Sequence, residues 1–236
     1  MVTTHARRAY LHLRQKLMGR QLPPGTRIRY GPVGKELGIS ATPVREAIGQ
    51  LASEGFVELV PQLGAVVRQL TREEAIELYE LREAIEPFAA RKAVQRISTE
   101  QMQQLCDCLA EMEEIAHNWN AEEPLELQRK LVRRFEAVDL SFHVTLLEAT
   151  SNRRMIKTIG DSHLLTRIFT SDRHEYDKQV LSATAHDHRE IVEAIQQKDE
   201  NQAAAAMQQH IQSGLKRTLA AHDAGDNARS NDHWWQ

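Results

Sequence analysis

Residues 30–68 read YGPVGKELGISATPVREAIGQLASEGFVELVPQLGAVVR, and this stretch decides the fold of the N-terminal part of the chain. Residues 33–37 predict a short amphipathic helix that ends at Gly38. A second helix is predicted to begin after a cap at Ser40 or Thr42. Its apolar residues recur at helical spacing, namely Val44, Ile48 and Leu51.

Residues 56–60 and 65–69 predict two short strands on either side of a Pro-Gln-Leu-Gly turn, which is a hairpin. Two helices joined by a tight turn and followed by a hairpin form a winged helix-turn-helix, whose second helix normally enters the DNA major groove. A further helix is predicted over residues 6–18. Its predicted buried face consists of Ala6, Tyr10, Leu13 and Leu17. We therefore predict a DNA-binding domain over residues 1–70.

The charge distribution supports this prediction. The chain has 236 residues and a net charge of -3, but residues 1–70 carry ten Lys or Arg against four Glu. A basic first domain on an acidic remainder is expected of a protein that binds phosphates with one domain. Two cysteines occur, Cys106 and Cys108, and we interpret them as reduced thiols. No apolar run approaches the ~20 residues that span a bilayer, so we expect a cytoplasmic protein that does not contact a membrane.

The remainder of the chain shows only helical periodicity, which predicts an antiparallel bundle of six or seven helices in a second domain over residues 71–221. The predicted helices cover residues 72–95, 99–118, 125–150, 153–173, 182–197 and 200–221. In the first of them, one stripe has apolar residues at three- and four-residue steps, namely Ala75, Leu78, Leu81, Ile85 and Phe88. Residues 222–236 lack periodicity and are predicted to form a flexible tail.

Two family resemblances follow from these residues. The run ISATPVREAIGQLASEGFVELVPQLGAVV, with LPPGTRI before it, resembles the N-terminal domain of GntR family transcription regulators. The segments LYELREAIEPFAARKA, DLSFHVTLLEATSN and DHREIVEAIQQKDENQAAAAMQQHI resemble the FCD effector domain of the FadR-like subgroup. Together these resemblances cover about residues 6–215. They imply a mostly α-helical chain with a winged helix-turn-helix followed by an FCD-type bundle.

Candidate DNA contacts lie in the first domain. Arg45, on the predicted recognition helix, has a planar fork that suits a guanine edge or a phosphate. Ser40 and Thr42 can bind phosphates at the start of that helix. Many relatives carry an arginine where this chain has Ala41, so we expect an altered or softened operator preference. Candidates for backbone contacts, each equally well explained as a solvated surface charge, are Arg29, Lys35 and Arg68.

Four polar residues lie on otherwise apolar helix faces in the second domain. Asp139 and His143 are one turn apart and share a face, whereas His188 and His210 fall on the apolar stripes of later helices. Three imidazoles and one carboxylate suit Zn²⁺ or Ni²⁺, and Mn²⁺ or Fe²⁺ less well. His186 falls off the apolar stripe. The resemblance implies the same site, because metal-binding FCD members hold a divalent ion with one Asp and three His at the matching positions.

The resemblance also implies a small carboxylate effector, since a bound dication attracts anionic oxygen ligands. Arg82 is placed by the resemblance to pair with such a carboxylate, although an ion pair with Glu86 explains it equally well. Asn152 either reaches the same pocket or caps the next helix. His163 and Arg167 are further effector-binding candidates.

We therefore predict a regulator and not an enzyme. It is expected to bind a palindromic double-stranded operator as a homodimer, most often as a repressor, and to respond to an organic acid at the metal centre. One alternative is a metal-dependent hydrolase that uses the Asp/His₃ site to activate water. Another is a regulator for which the metal itself is the signal.

Overall fold

The computed structural model describes residues 4–19, 21–61, 64–170 and 176–231, apart from the side chains of residues 164, 167–170 and 225–231. Within these ranges the first unit contains α1 (His5–Met18), β1 (Arg27–Ile28), α2 (Tyr30–Leu37), α3 (Ala41–Ser53), β2 (Val57–Val60) and β3 (Gly64–Val67). The helical region contains α4 (Arg72–Arg96), α5 (Thr99–His117), α6 (Leu125–Ala149), α7 (Arg153–Thr170), α8 (Lys178–Gln196) and α9 (Glu200–Asn231). The prediction of a mostly α-helical chain, with a winged helix-turn-helix before a helical bundle, is confirmed.

The chain divides into two compact units. One contains the described residues up to Thr71 together with 164–170, and the other contains Arg72–His163 and the described residues from Tyr176 onward. No helix in the described ranges combines the length and apolar composition that crossing a membrane requires.

The wing contains one more strand than the sequence predicted. β2 and β3 pair antiparallel with Val57 opposite Val67, and β1 pairs with the other edge of β3, so that the sheet order is β1-β3-β2. A strand of two residues is too short to produce a readable alternation, which is why β1 was missed. Gly64 has φ +99°, and a Cβ at this position would lie 2.4 Å from the Ile28 carbonyl oxygen. Only glycine therefore permits β3 to pair with β1 here.

The core of the first unit is formed by one face of each helix and the inner face of the sheet. Gly38, with φ +66°, ends α2 in the left-handed conformation and turns the chain toward α3. The predicted buried faces of α1 and α3 are observed, except that Ala9 is buried where Ala6 is only half-buried. The largest fully buried side chains of this unit are Leu13, Leu17, Ile48, Leu51 and Phe56.

The helices of the second unit follow their predicted positions, with two differences at the ends. α8 begins at Lys178, earlier than predicted, because the Asp177 carboxylate caps it by accepting the Val180 N–H at 2.7 Å. α9 continues to Asn231, so most of the segment predicted to lack helix extends this helix. Residues 232–236 lie outside the described residues.

Helix α4 buries only part of its predicted apolar stripe, because Ala75 is buried and Leu78 and Ile85 are half-buried while the other two members are exposed. Leu81 and Phe88 are 37% and 45% exposed, whereas Arg82 and Glu86 are 5% and 2% exposed. Small or polar side chains complete the buried face of α4, namely Ala75, Tyr79, Ala89, Ala90 and Ala93. The helix packs this face against α9 and α6, and α5 packs against α6 and α8. Two charged residues are consequently placed in the middle of the bundle.

Candidate metal centre and nucleic-acid interface

The four predicted metal ligands converge in the interior of the bundle. Asp139 and His143 project from one face of α6, and they meet His188 from α8 and His210 from α9. One potential ligand atom from each residue lies within 4.8 Å of those from the other three. His143 Nε2 is 3.2 Å from His210 Nε2, and His188 Nε2 is 3.2 Å from Asp139 Oδ1. Asp139 is half-buried, whereas all three histidines are buried.

The other ring nitrogen of each histidine faces an oxygen atom. His143 Nδ1 lies 2.5 Å from Glu86 Oε2, and His188 Nδ1 lies 2.7 Å from the Thr184 carbonyl oxygen, one turn earlier in α8. His210 Nδ1 lies 3.6 Å from Asp187 Oδ2. The hydrogen bond from His188 Nδ1 to the Thr184 carbonyl oxygen favours the tautomer that leaves its Nε2 unprotonated, which is the arrangement found around metal-bound histidines.

The hydrogen bonding of the four side chains indicates whether they fit a divalent cation. In the described part of the chain, His188 Nε2 is buried, and its 3.2 Å contact with Asp139 Oδ1 lacks the geometry of a hydrogen bond. An orphaned buried nitrogen costs free energy, and here it shares a small space with two further imidazole nitrogens and a carboxylate oxygen. Three nitrogens and one oxygen match the ligands that Zn²⁺ and Ni²⁺ accept. The residues therefore fit a divalent cation.

The protonation states of two ligands also suit a cation. Burial lowers the pKa of His210 to about 3, and the neighbouring His188 adds to the effect, so His210 is neutral at ordinary pH. Burial alone would raise the pKa of Asp139, but its contact with His188 and the surrounding histidines lower that pKa well below its usual value. An ionised carboxylate and a neutral imidazole are the forms that bind metals.

Glu86 is the functional residue that sequence reasoning missed. The sequence assigned it only an ion pair with Arg82, and that pair is present, with Arg82 Nε 2.7 Å from Glu86 Oε1. The same oxygen lies 3.0 Å from His163 Nε2, while the second oxygen faces His143. Burial alone would raise the pKa of Glu86, but Arg82, His163 and His143 together lower it well below its usual value. Glu86 therefore links the candidate effector residues to the metal-ligand cluster.

The four candidate effector residues have different surroundings. Arg82 lines a cavity of about 80 Å³ beside the cluster, together with Tyr79, Asp139, His210, Gly214 and Arg217. His163 contacts Glu86 instead, and burial followed by the charge of Arg82 lowers the pKa of His163 to about 4. Asn152 accepts hydrogen bonds from the Arg154 and Met155 N–H groups, so the structure favours its capping role. The Arg167 side chain lies outside the described part of the chain.

A groove on the first unit collects several of the candidate DNA contacts. Arg45 and Arg29 line it, and so do Arg27 and Tyr30, which the sequence did not single out. The Arg45 guanidinium lies 5.3 Å from the Tyr30 ring centroid, a cation–π distance that helps to hold the arginine. The position of Arg27 close to Arg29, shortly before α2, was the signal in the sequence that could have identified it.

The remaining candidates for DNA contacts differ in exposure and in whether their side chains make hydrogen bonds within the protein. Ser40 precedes α3 and makes no capping hydrogen bond with its side chain, and Thr42 and Lys35 are exposed. Arg68 is half-buried, and its Nη1 donates to the Gly55 carbonyl at 3.4 Å. This hydrogen bond joins β3 to the end of the recognition helix and gives Arg68 a structural role.

Comparison with known proteins agrees with both units. Residues 5–67 match the bacterial regulatory proteins of the gntR family, and residues 77–213 match the FCD domain. The Nta operon transcriptional regulator of Aminobacter aminovorans is 30% identical, over 83% of this chain and 86% of its own length. The HTH-type transcriptional repressor RspR of Escherichia coli K12 is 27% identical, over 86% of this chain and 84% of its own.

A solved structure shows the same fold. E. coli McbR/YncC superposes with a TM-score of 0.76 at 16% identity, covering 93% of this chain and 99% of that one. The matching families and relatives are transcription regulators and not enzymes, as predicted from the sequence. With its gntR-type winged helix, its FCD bundle and relatives that align over most of their length, the chain belongs to the GntR family of transcription regulators with an FCD domain.

Proposed function

We propose that this protein is a metal-dependent repressor that acts in the cytoplasm, binds a palindromic operator as a homodimer and responds to a small organic acid. The observation that carries the proposal is the convergence of Asp139, His143, His188 and His210 beside a cavity that Arg82 also lines. Two relatives whose names describe them as repressors support the direction of regulation. Zn²⁺ or Ni²⁺ suits the ligands best, with Mn²⁺ or Fe²⁺ as weaker candidates.

The residues of the bundle can bind an organic acid in two ways. A divalent cation held by the four ligands offers its remaining coordination positions to carboxylate oxygens. Arg82 uses only its Nε for Glu86, so its two terminal NH₂ groups are available to bind the same organic acid. A ligand that contacts both would favour one arrangement of the bundle and shift its population. The Glu86 carboxylate connects Arg82 to His143, so ligand and metal binding are expected to affect each other.

DNA binding is proposed to use the groove on the first unit. Arg45 and Arg29, assisted by Arg27, supply guanidinium groups for bases and phosphates. Ser40 and Thr42 supply hydroxyl groups at the start of α3, where backbone N–H groups are also exposed. In a symmetric dimer the two recognition helices would enter successive major grooves, about 34 Å apart.

The exposed stripe of α4 is the surface that we propose for dimerisation. Leu81 and Phe88 are seven residues apart on one face of this helix and are both exposed in the single chain. Large apolar side chains exposed on one face of a helix are typical of subunit interfaces, and a twofold interface uses the same patch from both copies. Phe88→Glu is expected to yield monomers by light scattering. The matched control Leu127→Glu, at a residue 48% exposed on α6, should leave the dimer intact.

The proposal is tested by measuring operator binding with fluorescence anisotropy. Genomic selection first supplies the operator. Its affinity is then measured for metal-loaded and chelator-treated protein, with and without a panel of organic acids. We expect an acid to weaken DNA binding only when the metal is present. Release of DNA on metal addition alone would instead make the metal the signal, and DNA binding indifferent to both would contradict the proposal.

A further inference from the structure

Arg217 is a charged residue beside the metal-ligand cluster that the proposed function does not use. It lies on α9, beyond residues 77–213 that match the FCD domain, and it lines the same cavity as Asp139 and His210. The residue is half-buried, and its charge helps to lower the pKa of Asp187, but it makes no hydrogen bond or ion pair with any described residue. A guanidinium group that is partly removed from water and whose N–H donors make no hydrogen bond is well suited to bind an anion.

Arg82 brings a second guanidinium group to this cavity from α4. It is 5% exposed, and its Nε is the one nitrogen that bonds to a described residue, Glu86. Each guanidinium group can bind a carboxylate through two parallel N–H donors. The cavity therefore has one arginine that is hydrogen-bonded to Glu86 and another, Arg217, whose N–H donors make no hydrogen bond to a described residue.

The spacing along α9 separates Arg217 from the metal-ligand end of the cavity. His210 and Arg217 are seven residues apart, which places them on one face of the helix and about 10 Å apart along its axis. Gly214 lies between them, and a Cβ at this position would be 3.1 Å from the Tyr79 ring. Because glycine has no side chain, the Tyr79 ring packs close to the backbone of Gly214, and both residues line the cavity that His210 and Arg217 share.

We propose that the effector is a short dicarboxylate, with one carboxylate at the metal and Arg82 and the second carboxylate on Arg217. This inference rests on the proposed function, in which the effector is an organic acid. The cavity volume of about 80 Å³ has room for about five to eight water molecules, at ~10–15 Å³ of accessible space each, which is close to the six to eight non-hydrogen atoms of a short dicarboxylate. The space therefore suits an acid of two to four carbon atoms.

The test compares matched acids by isothermal titration calorimetry on the full-length, Zn²⁺-loaded protein. The pairs are propanoate with malonate and butanoate with succinate, so that within each pair only the second carboxylate differs. At least one dicarboxylate is expected to bind ten-fold or more tightly than its matched monoacid. In Arg217→Gln this preference should fall to three-fold or less with monoacid affinity unchanged, and Arg217→Lys should recover part of it.

The control Lys216→Gln removes the same charge from the exposed neighbouring residue and should leave the preference intact. A dicarboxylate preference that persists in Arg217→Gln would overturn the inference, since both carboxylates would then be held elsewhere. Equal binding of both acids in each pair to the wild-type protein would overturn it as well, while leaving the proposed function standing. If no acid binds, with or without metal, the effector part of the proposed function fails too.

Discussion

The two units of this protein place their functional residues in opposite environments. In the first unit, Arg45 and Arg29 are exposed beside a groove, and the buried side chains among the described residues up to Thr71 are all uncharged. The helical unit buries charged and polar groups at its centre, including Arg82, Glu86 and His188. The candidate DNA contacts are thus separate from the core that folds their unit, whereas the candidate metal ligands are part of the core.

This difference has a consequence for substitutions. An exposed arginine can be removed at little cost to folding, because water replaces its contacts. A buried metal ligand, or the residue that faces its second ring nitrogen, cannot be removed at so little cost, since its loss leaves another polar group buried and unsatisfied. Substitutions of the exposed arginines in the first unit should therefore alter DNA affinity alone. Substitutions of the buried ligands in the second unit should alter metal binding and stability together.

The largest effect is expected for His143→Ala. This residue supplies one of the four converging ligands and also faces Glu86. We expect metal binding to be lost, as measured by mass spectrometry of the metal content, and operator binding to lose its response to organic acids. His186→Ala is the matched control, because His186 is exposed and outside the cluster. A wild-type metal content in His143→Ala would show that the ligand set is wrong.

Glu86→Gln tests whether the residue behind the ligand matters. The amide keeps the shape but removes the charge that faces His143 Nδ1 and pairs with Arg82. Metal affinity in a chelator competition should fall about 10- to 100-fold, the usual effect of removing an outer acceptor. The melting temperature should also fall, because Arg82 stays buried without its counter-charge.

The control for this variant is Glu83→Gln on the same helix. Glu83 accepts hydrogen bonds from Gln208 and Gln212 and is not one of the four candidate metal ligands. Its substitution should leave metal affinity unchanged. Equal metal affinities in wild-type and Glu86→Gln protein would contradict a role of Glu86 in metal binding.

Arg45→Ala tests the expectation that an exposed arginine of the first unit affects DNA binding without affecting folding. If Arg45 contacts a base, operator binding should weaken by about 1–3 kcal/mol and sequence preference should relax, as measured by anisotropy with operator and scrambled duplexes. Metal content and melting temperature should not change. Lys157→Ala, at an exposed position of α7, is the charge-matched control. Operator affinity that survives the loss of Arg45 would refute its role as a base contact.

The stability of the metal-free protein is expected to depend on pH. The pKa of His163 is lowered to about 4 and that of His210 to about 3, both below the ~6.5 of an unfolded histidine. Below pH 6.5 the unfolded chain therefore binds more protons than the folded one. The free energy of unfolding should fall as pH drops toward 4, by up to about 1.4 kcal/mol per pH unit for each histidine.

Chemical denaturation of chelator-treated protein between pH 8 and pH 4.5 measures this slope. His163→Gln should reduce it, because the amide can still donate to Glu86 but does not titrate. His186→Gln, at an exposed histidine, should not change it. A pH-independent stability over this range would contradict the assignment of two buried neutral histidines.

The parts of the site that could be predicted are those that depend on spacing along one helix. Asp139 and His143 share a face of α6 because they are four residues apart, and His188 and His210 fall on apolar stripes of their own helices. The same reasoning held only in part on α4, where Leu81 and Phe88 of the predicted apolar stripe are exposed and the face with Arg82 and Glu86 is buried. Hydrophobic periodicity identifies a buried face only when the polar residues of a helix remain in water, and here two of them do not.

The amino-acid sequence by itself determined the winged helix-turn-helix, the helical bundle and the four candidate ligands, because turn residues and helical periodicity act over a few residues. Only the tertiary structure decided which groups face the ligands from other helices, namely Glu86 for His143 and Asp187 for His210. It also decided that Arg82 and Arg217 share one cavity. These relations join residues up to 135 positions apart in the numbering of the chain, and they depend on which helices pack together, which no local pattern specifies.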